Sequence, residues 1–307
     1  MRIYTITLNP AYDIHAYMER FEPFHENLAH VISRQAGGKG VNISRALCSN
    51  GIENTALVVL GTDNCTDFVS ELSRIDVCAV YLERPGRIRD NLTLHCDEAP
   101  ETRISFSGFE VNDEILRDLD NTMTVDCETV ITFTGRIPSG ISKESAISYL
   151  AKWKKQGAKL VLDSKSLTLE DIYAIKPWLI KPNQDELSTY FSEEVSSMDS
   201  ALEKAKQIYA HGVENVMISM GDAGALLLTD GIAYIAKPPV VRVVSTIGAG
   251  DSSIAGFITA SSRCLQPGDC LRYAVAFGTA SCPTEGTLPP NKTDVQAIYE
   301  GTFITAV

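Results

Sequence analysis

No stretch of this sequence stays apolar for the roughly 20 residues that a membrane-spanning helix needs. Its start, MRIYTITLNP, lacks the basic region and long apolar run of a secretion signal. Both absences lead us to expect a cytoplasmic protein without a membrane partner. A surplus of cations is also missing: 27 Lys and Arg face 39 Asp and Glu, for a net charge of -12. A nucleic-acid partner, which would need a basic stripe, is therefore not expected. The eight cysteines (Cys48, Cys65, Cys78, Cys96, Cys127, Cys264, Cys270 and Cys282) form no CxxC pair, and the five histidines form no HExxH pattern. This speaks against a zinc site and predicts reduced, mostly core thiols. GxxxxGK[ST] does not occur, which excludes the P-loop, and no GxGxxG follows the first strand. Repeats, low-complexity tracts and long linkers are lacking too.

What remains is a globular chain, 44% hydrophobic and 21% charged, long enough for a large core with a small appendage. RIYTITLNP, TALVVLGTD, DCETVITFTG, AKLVLDS, WLI and ENVMISMG read as strands. GVNISRALCSNG, CTDFVSELSRID, KESAISYLAKWKKQG and ALEKAKQIYAHG read as helices, the first stopped by Gly51 and the third by Gly157. Such alternation predicts an α/β fold, a mostly parallel sheet with helices on both faces and ligands beyond the carboxyl ends of the strands. Segments 12–35 and 87–108 break the alternation. They read as a small β-sheet lid, with IRDNLTLHCD and TRISFSG as a hairpin around Glu98-Ala99-Pro100-Glu101. The main α/β domain is then 1–11, 36–86 and 109–307.

Four segments carry chemistry. Ser245-Thr246-Ile247-Gly248-Ala249-Gly250-Asp251 lies between a Val-rich stretch, VVRVVS, read as a strand, and an apolar helix. Its small residues let backbone amides approach an anion at a helix N-terminus. Asp251 fits there as a base or as a plain helix cap; the glycines favour the base, because a cap does not require them. Gly37-Gly38-Lys39-Gly40-Val41-Asn42 is a second glycine loop entering a helix, suited to a hydroxylated or phosphorylated ligand or simply a turn. Asn183 and Glu186, in Lys181-Pro182-Asn183-Gln184-Asp185-Glu186, share one face of a helix start. An amide oxygen and a carboxylate suit hydrated Mg²⁺, and equally suit a capped helix. Ser219-Met220-Gly221-Asp222-Ala223-Gly224 is a glycine turn between two strands.

In combination LNPAYD, AGGKGVNIS, KPNQDE, SMGDAGA and STIGAGDSSIAG resemble, in order and spacing across essentially the whole chain, the ribokinase/pfkB carbohydrate kinases. LNPAYD and KPNQDEL resemble the hexose-phosphate branch, which holds 1-phosphofructokinase and tagatose-6-phosphate kinase. The resemblance implies ATP and Mg²⁺ as cofactors and Asp251 as the base that deprotonates the sugar hydroxyl. It implies Gly248, Ala249 and Gly250 as an anion hole, suited to phosphoryl transfer. Asn183 and Glu186 would organise Mg²⁺ through water. Ser219, Gly221 and Gly224 would lie along ATP, with Asn183, Thr246, Gly248 and Gly250. Asp13, Gly38, Lys39, Asn42, Arg89 and Asn91 would hold the sugar, and the β-rich pieces would form a lid that also pairs two copies.

Two positions depart from that branch. Thr93 stands where a lysine is common, and Arg136, in Thr134-Gly135-Arg136-Ile137-Pro138, replaces a small hydroxyl residue. We expect the substrate phosphate to be shared by Arg89, Arg103, Arg136 and Lys39, with guanidinium forks matching its oxygens. Fructose 1-phosphate is the first expectation and tagatose 6-phosphate the second. A kinase of an unphosphorylated sugar or a nucleoside, and a regulatory ligand-binding protein on a kinase fold, remain alternatives.

Overall fold

The computed structural model describes every residue except Glu98 and Glu285, and of Ala99 and Pro100 the backbone only. In chain order, β1 (Arg2–Thr7) is followed by β2 (Ala11–Tyr17), β3 (His30–Gly37) and α1 (Lys39–Ser49). Next come β4 (Thr55–Gly61), α2 (Thr66–Arg74), β5 (Ala79–Arg84), β6 (Arg89–Cys96), β7 (Ala99–Ser105) and α3 (Glu114–Thr122). The middle of the chain holds β8 (Thr129–Thr134), α4 (Lys143–Lys155), β9 (Lys159–Asp163), α5 (Leu169–Ile175), β10 (Leu179–Ile180), α6 (Gln184–Phe191) and α7 (Met198–Ala210). It ends with β11 (Asn215–Ser219), β12 (Ala225–Thr229), β13 (Ile232–Lys237), α8 (Ala249–Ser262), α9 (Pro267–Ser281), α10 (Lys292–Gly301) and β14 (Phe303–Ala306).

The large sheet has ten strands in the order β14-β13-β12-β11-β10-β9-β8-β1-β4-β5. From β5 through β11 all pairings are parallel; β12, β13 and β14 add an antiparallel edge. Helices cover both faces, so the parallel strands are apolar on both sides. Neighbouring residues show it: Ile131, Leu160 and Leu162 join the core under α4, α5 and α7, whereas Val130 and Val161 join the core under α1, α8 and α9. Local signals start the helices where the sequence places them. Ser142 caps α4, and Thr168 and Asn183 close capping boxes on α5 and α6, each such cap stabilising by about 1 kcal/mol.

The small sheet has the order β3-β2-β6-β7, with β2 and β6 parallel. β6 and β7 pair antiparallel as the expected hairpin, whose tip at Glu98 lies outside the described residues. Its ladders reach Ala11 and Gly37, slightly beyond the segments expected from sequence.

Two expectations are corrected. VVRVVS is not a strand: β13 stops at Lys237, Pro238-Pro239 follows, and 238–248 is irregular. Proline cannot donate to a ladder, and the vacated edge of β13 is taken by β14, with Lys237 opposite Phe303. The thiols are not mostly core either: Cys270 is buried, but Cys78, Cys127 and Cys264 are exposed. All eight are free. No helix among the described residues is long and apolar enough to cross a membrane.

Candidate active site

The carboxyl ends of β1, β8, β9 and β10 open toward the glycine loops. Gly248 is the N-cap of α8, in the left-handed region at φ 84°, and makes no side-chain cap bond. Asp251 therefore does not cap the helix. It is buried in the first turn, and its Oδ2 accepts from Asn42 Nδ2 at 3.0 Å. Burial lifts the Asp251 carboxyl above the usual range, offset by Lys39 and the Asn42 bond and reinforced by Asp163. First-turn amides of a helix have no intrahelical partner, which suits the loop to an anion. Of the three residues assigned to the anion hole, Ala249 spends its N–H inside the loop, donating to Thr246 O at 3.2 Å. That leaves Gly248 and Gly250 as the better candidates.

Sequence reasoning missed two residues at the centre of this site. Asp163, the last residue of β9, accepts from Lys39 Nζ at 2.9 Å and lies 3.8 Å from Lys181 Nζ. Burial raises its carboxyl, but Lys181 and then Lys39 outweigh that and hold it below the ordinary value. Burial works against the charge on Lys39, yet Asp163 and Asp251 keep its ammonium well above the usual lysine range. Lys181 is buried and would stand 3.1 Å from a β-carbon on Gly250, so it faces the anion loop. The available signal was a charged residue closing or directly following an apolar strand, in VLDS and LIKPN.

Asp13, Arg89 and Asn91, expected at the sugar, come from the small sheet. Asp13 Oδ1 accepts from Asn91 Nδ2 at 2.9 Å and from Arg103 Nη2 at 3.0 Å. Gly37 is required beside it, because a β-carbon there would run into Asp13 Oδ2. Gly38, at φ 119°, then turns the chain into α1. Asn42 Oδ1 and Asn91 Oδ1 are buried acceptors without a partner among the described residues, as groups awaiting sugar hydroxyls would be. Arg89 donates to Phe106 O at 3.2 Å. Burial lowers its pKa, Asp13 opposes, and Arg103 and Arg136 lower it further, so three guanidiniums share this region. Arg136 is exposed, on a loop tied to β9 by the bond from Gly135 N to Asp163 O at 2.9 Å. Arg103 is thus not a free surface cation.

Asn183 caps α6 and Glu186 lies in its first turn, their side chains turned back onto each other's backbone N–H at 2.8 and 3.1 Å. Glu186 Oε1 has Lys165 Nζ at 3.5 Å. Asn183 pairs with Ser219 in an isolated bridge, bringing the turn Gly221–Ala223 alongside. Gly221 faces open space, whereas a β-carbon on Gly224 would collide with Ala236 O. Among the described residues, no group of three or more His, Cys, Asp or Glu could hold a metal unaided. A cavity of about 1040 Å³ lies at the opposite end of β1, beside Cys48, Asn54 and Leu288, and contains none of these residues.

The model of the pfkB family carbohydrate kinases matches residues 6–294. The chain belongs to the pfkB carbohydrate kinase family. As such it is a carbohydrate kinase on a ribokinase-like α/β fold. It is 34% identical to 1-phosphofructokinase of Escherichia coli (strain K12) over 259 residues, 84% of this chain and 83% of that protein. With 1-phosphofructokinase of Bacillus subtilis (strain 168) identity is 31% over 284 residues, 92% and 93% of the two chains. The crystal structure of phosphofructokinase-2 from E. coli in complex with substrates and products superposes with a TM-score of 0.90, at 28% identity, covering 98% of this chain and 99% of the other.

Proposed function

We propose that this pfkB kinase transfers the γ-phosphoryl of ATP to fructose 1-phosphate, giving fructose 1,6-bisphosphate. The observation that carries the substrate is the convergence of Arg89, Arg103 and Arg136 near Asp13. Only Arg103 has a carboxylate within 4 Å among the described residues. An unphosphorylated sugar or a nucleoside gives no reason to gather uncompensated guanidiniums, whereas a phosphate does. The relatives named 1-phosphofructokinase support the choice among hexose phosphates.

In this reading Asp251 takes the hydroxyl proton, and its raised pKa brings a carboxylate closer to the task of a base. The amides of Gly248 and Gly250, with Lys39 and Lys181, stabilise the transferring phosphoryl group. Asp163 pairs with both lysines and holds them in place. Asn183 and Glu186 fit Mg²⁺ only through water and phosphate, which is how this ion usually binds. Mg²⁺ there would neutralise charge on the ATP phosphates, with Ser219, Gly221, Gly224 and Thr246 along the nucleotide. The exposed Val31, Ile32 and Ile104 of the small sheet give two copies an apolar face for pairing through the lid.

The test is ADP release from MgATP with fructose 1-phosphate, tagatose 6-phosphate, fructose 6-phosphate, ribose, fructose and a nucleoside. Fructose 1-phosphate should give the highest kcat/KM. A preference for an unphosphorylated acceptor would sink the phosphate-site reading, and no ADP release with any acceptor would favour a binding protein.

A further inference from the structure

The small sheet grips the anion loop from both sides, on one flank through Gln35, the cross-strand neighbour of Asp13. On one side is Ser245, buried immediately before the loop. Its hydroxyl donates to Glu101 Oε2 on β7 at 3.2 Å and accepts from Ile247 N–H at 3.2 Å. Its own amide is anchored on Cys282 O at 3.1 Å. On the other side Thr287, whose Cβ lies 3.9 Å from where a β-carbon on Gly248 would sit, donates to Gln35 Oε1 on β3 at 3.1 Å. Gly286 packs so closely that a β-carbon there would stand 3.3 Å from Ser33 Oγ and 3.4 Å from the His15 ring. His15 is buried and stacks on His95 of β6, with 5.2 Å between ring centroids. His95 in turn places Nδ1 3.9 Å from Glu101 Oε2.

From these contacts we infer that Glu101 is a positioning residue, which sets the anion loop through Ser245 whenever the small sheet is seated, with Gln35 and Thr287 bracing the opposite flank. The Ser245 hydroxyl shapes the turn by accepting from Ile247 N–H, a local side-chain-to-backbone bond that competes with other loop conformations. It holds that orientation only while its proton has an acceptor, and the Glu101 carboxylate makes the bond charge-assisted. Without Glu101 a buried hydroxyl is left unsatisfied and free to turn. Seating of the sheet that carries the sugar ligands then also aligns the amides of Gly248 and Gly250. Binding that assembles a site in this way restricts chemistry to the correct substrate. The inference rests on the phosphoryl-transfer reading of the loop, but the contact does not depend on which sugar is used.

The experiment pairs amide hydrogen exchange on the free protein with steady-state kinetics for wild type, Glu101→Ala, Glu101→Gln, Ser245→Ala and the double variant E101A/S245A. Glu101→Ala should speed exchange across 246–251 about tenfold while β1 and β8 stay protected. It should lower kcat about tenfold, with the sugar-phosphate KM within about twofold of wild type. Glu101→Gln keeps an acceptor and should recover most of kcat. The double variant should be no worse than its worse single parent, as for residues acting through one contact. Unchanged exchange at 246–251, losses that multiply in the double variant, or a raised KM at constant kcat would each overturn the inference. If E101A does not fold, Gln35→Ala read by the same exchange at 246–251 decides it. Wild type inert toward every acceptor would sink the proposed function, while the exchange data would still judge the latch.

Discussion

At the phosphoryl end of the cleft, Lys39 and Lys181 share one buried carboxylate, Asp163, and Asp251 sits within reach of the same field. At the sugar end, Asp13 holds Arg103, while Arg89 and Arg136 have no carboxylate within 4 Å among the described residues. The first region joins the carboxyl ends of β9 and β10 to the starts of α1 and α8 and sets two lysines against two carboxylates, the kind of fixed polar arrangement that suits charge stabilisation. The second stands largely on the small sheet beside it and has positive charge to spare, which suits it to an anion. On the proposed function, the difference teaches where each property would reside: chemistry in the buried alternation of charges, and substrate choice in cations left unpaired.

The sharpest way to break the first region is Asp251→Asn. We expect kcat to fall by roughly three orders of magnitude, in line with loss of a general base, while sugar and ATP still bind by calorimetry. Near-normal kcat would remove Asp251 from its role. The same variant makes a second, opposite statement. A carboxyl whose folded pKa is raised favours the protonated form in the folded protein, so its contribution to stability grows as pH falls through that value. Neutral Asn removes the penalty, and the Tm of D251N at neutral pH should exceed that of wild type. For the same reason the acid limb of kcat against pH should lie above 3.8, the ordinary value for an aspartate.

Asp163→Asn should be next in size, and in stability rather than chemistry. It strands two lysines, one of them buried, and breaking such a pair costs about 3–5 kcal/mol. Asp163 is held below the ordinary carboxylate value, so its stabilisation is present above pH 3.8 and disappears as pH falls through the lower folded value. Urea unfolding at neutral pH measures the first effect, and a pH series the second; equal stability of D163N and wild type would show that Lys39 and Lys181 do not depend on Asp163.

At the sugar end Arg136→Ala should raise the KM for fructose 1-phosphate about tenfold to a hundredfold, the range expected for one phosphate contact. The KM for ATP should not move. An unchanged sugar-phosphate KM would leave Arg89 and Arg103 to hold the phosphate and make Arg136 a surface residue.

The two regions also differ in how readable they were. The glycine loop before α8, the strands of the small sheet and the parallel sheet were legible because glycine spacing, period-two stretches and strand–helix alternation are local patterns. Asp163 and Lys181 were not, because each is one charged residue at the end of an apolar strand, and only the sheet order β8-β9-β10 beside α1 brings them to Lys39. The strand expected at VVRVVS failed for a related reason. Its β-branched residues are locally persuasive, but the edge they would have joined is filled by Phe303–Ala306, some 60 residues later. Asn183 and Glu186 were legible as a pair, and the capping box they form shows why spacing alone left two readings open.

The smallest effect sharpens the nucleotide side. Gly224→Ala should be destabilising, since its β-carbon meets Ala236 O whatever is bound. Gly221 has φ 59° and nothing within 4 Å of a β-carbon. Alanine at Gly221 should therefore cost only the left-handed backbone penalty of about 1–2 kcal/mol in unfolding free energy. With the protein intact, any rise in the ATP KM of G221A reports contact between this turn and the nucleotide. We expect about threefold to tenfold, the size of a minor steric contact. An ATP KM equal to that of wild type, with the stability loss present, would move the nucleotide off this turn.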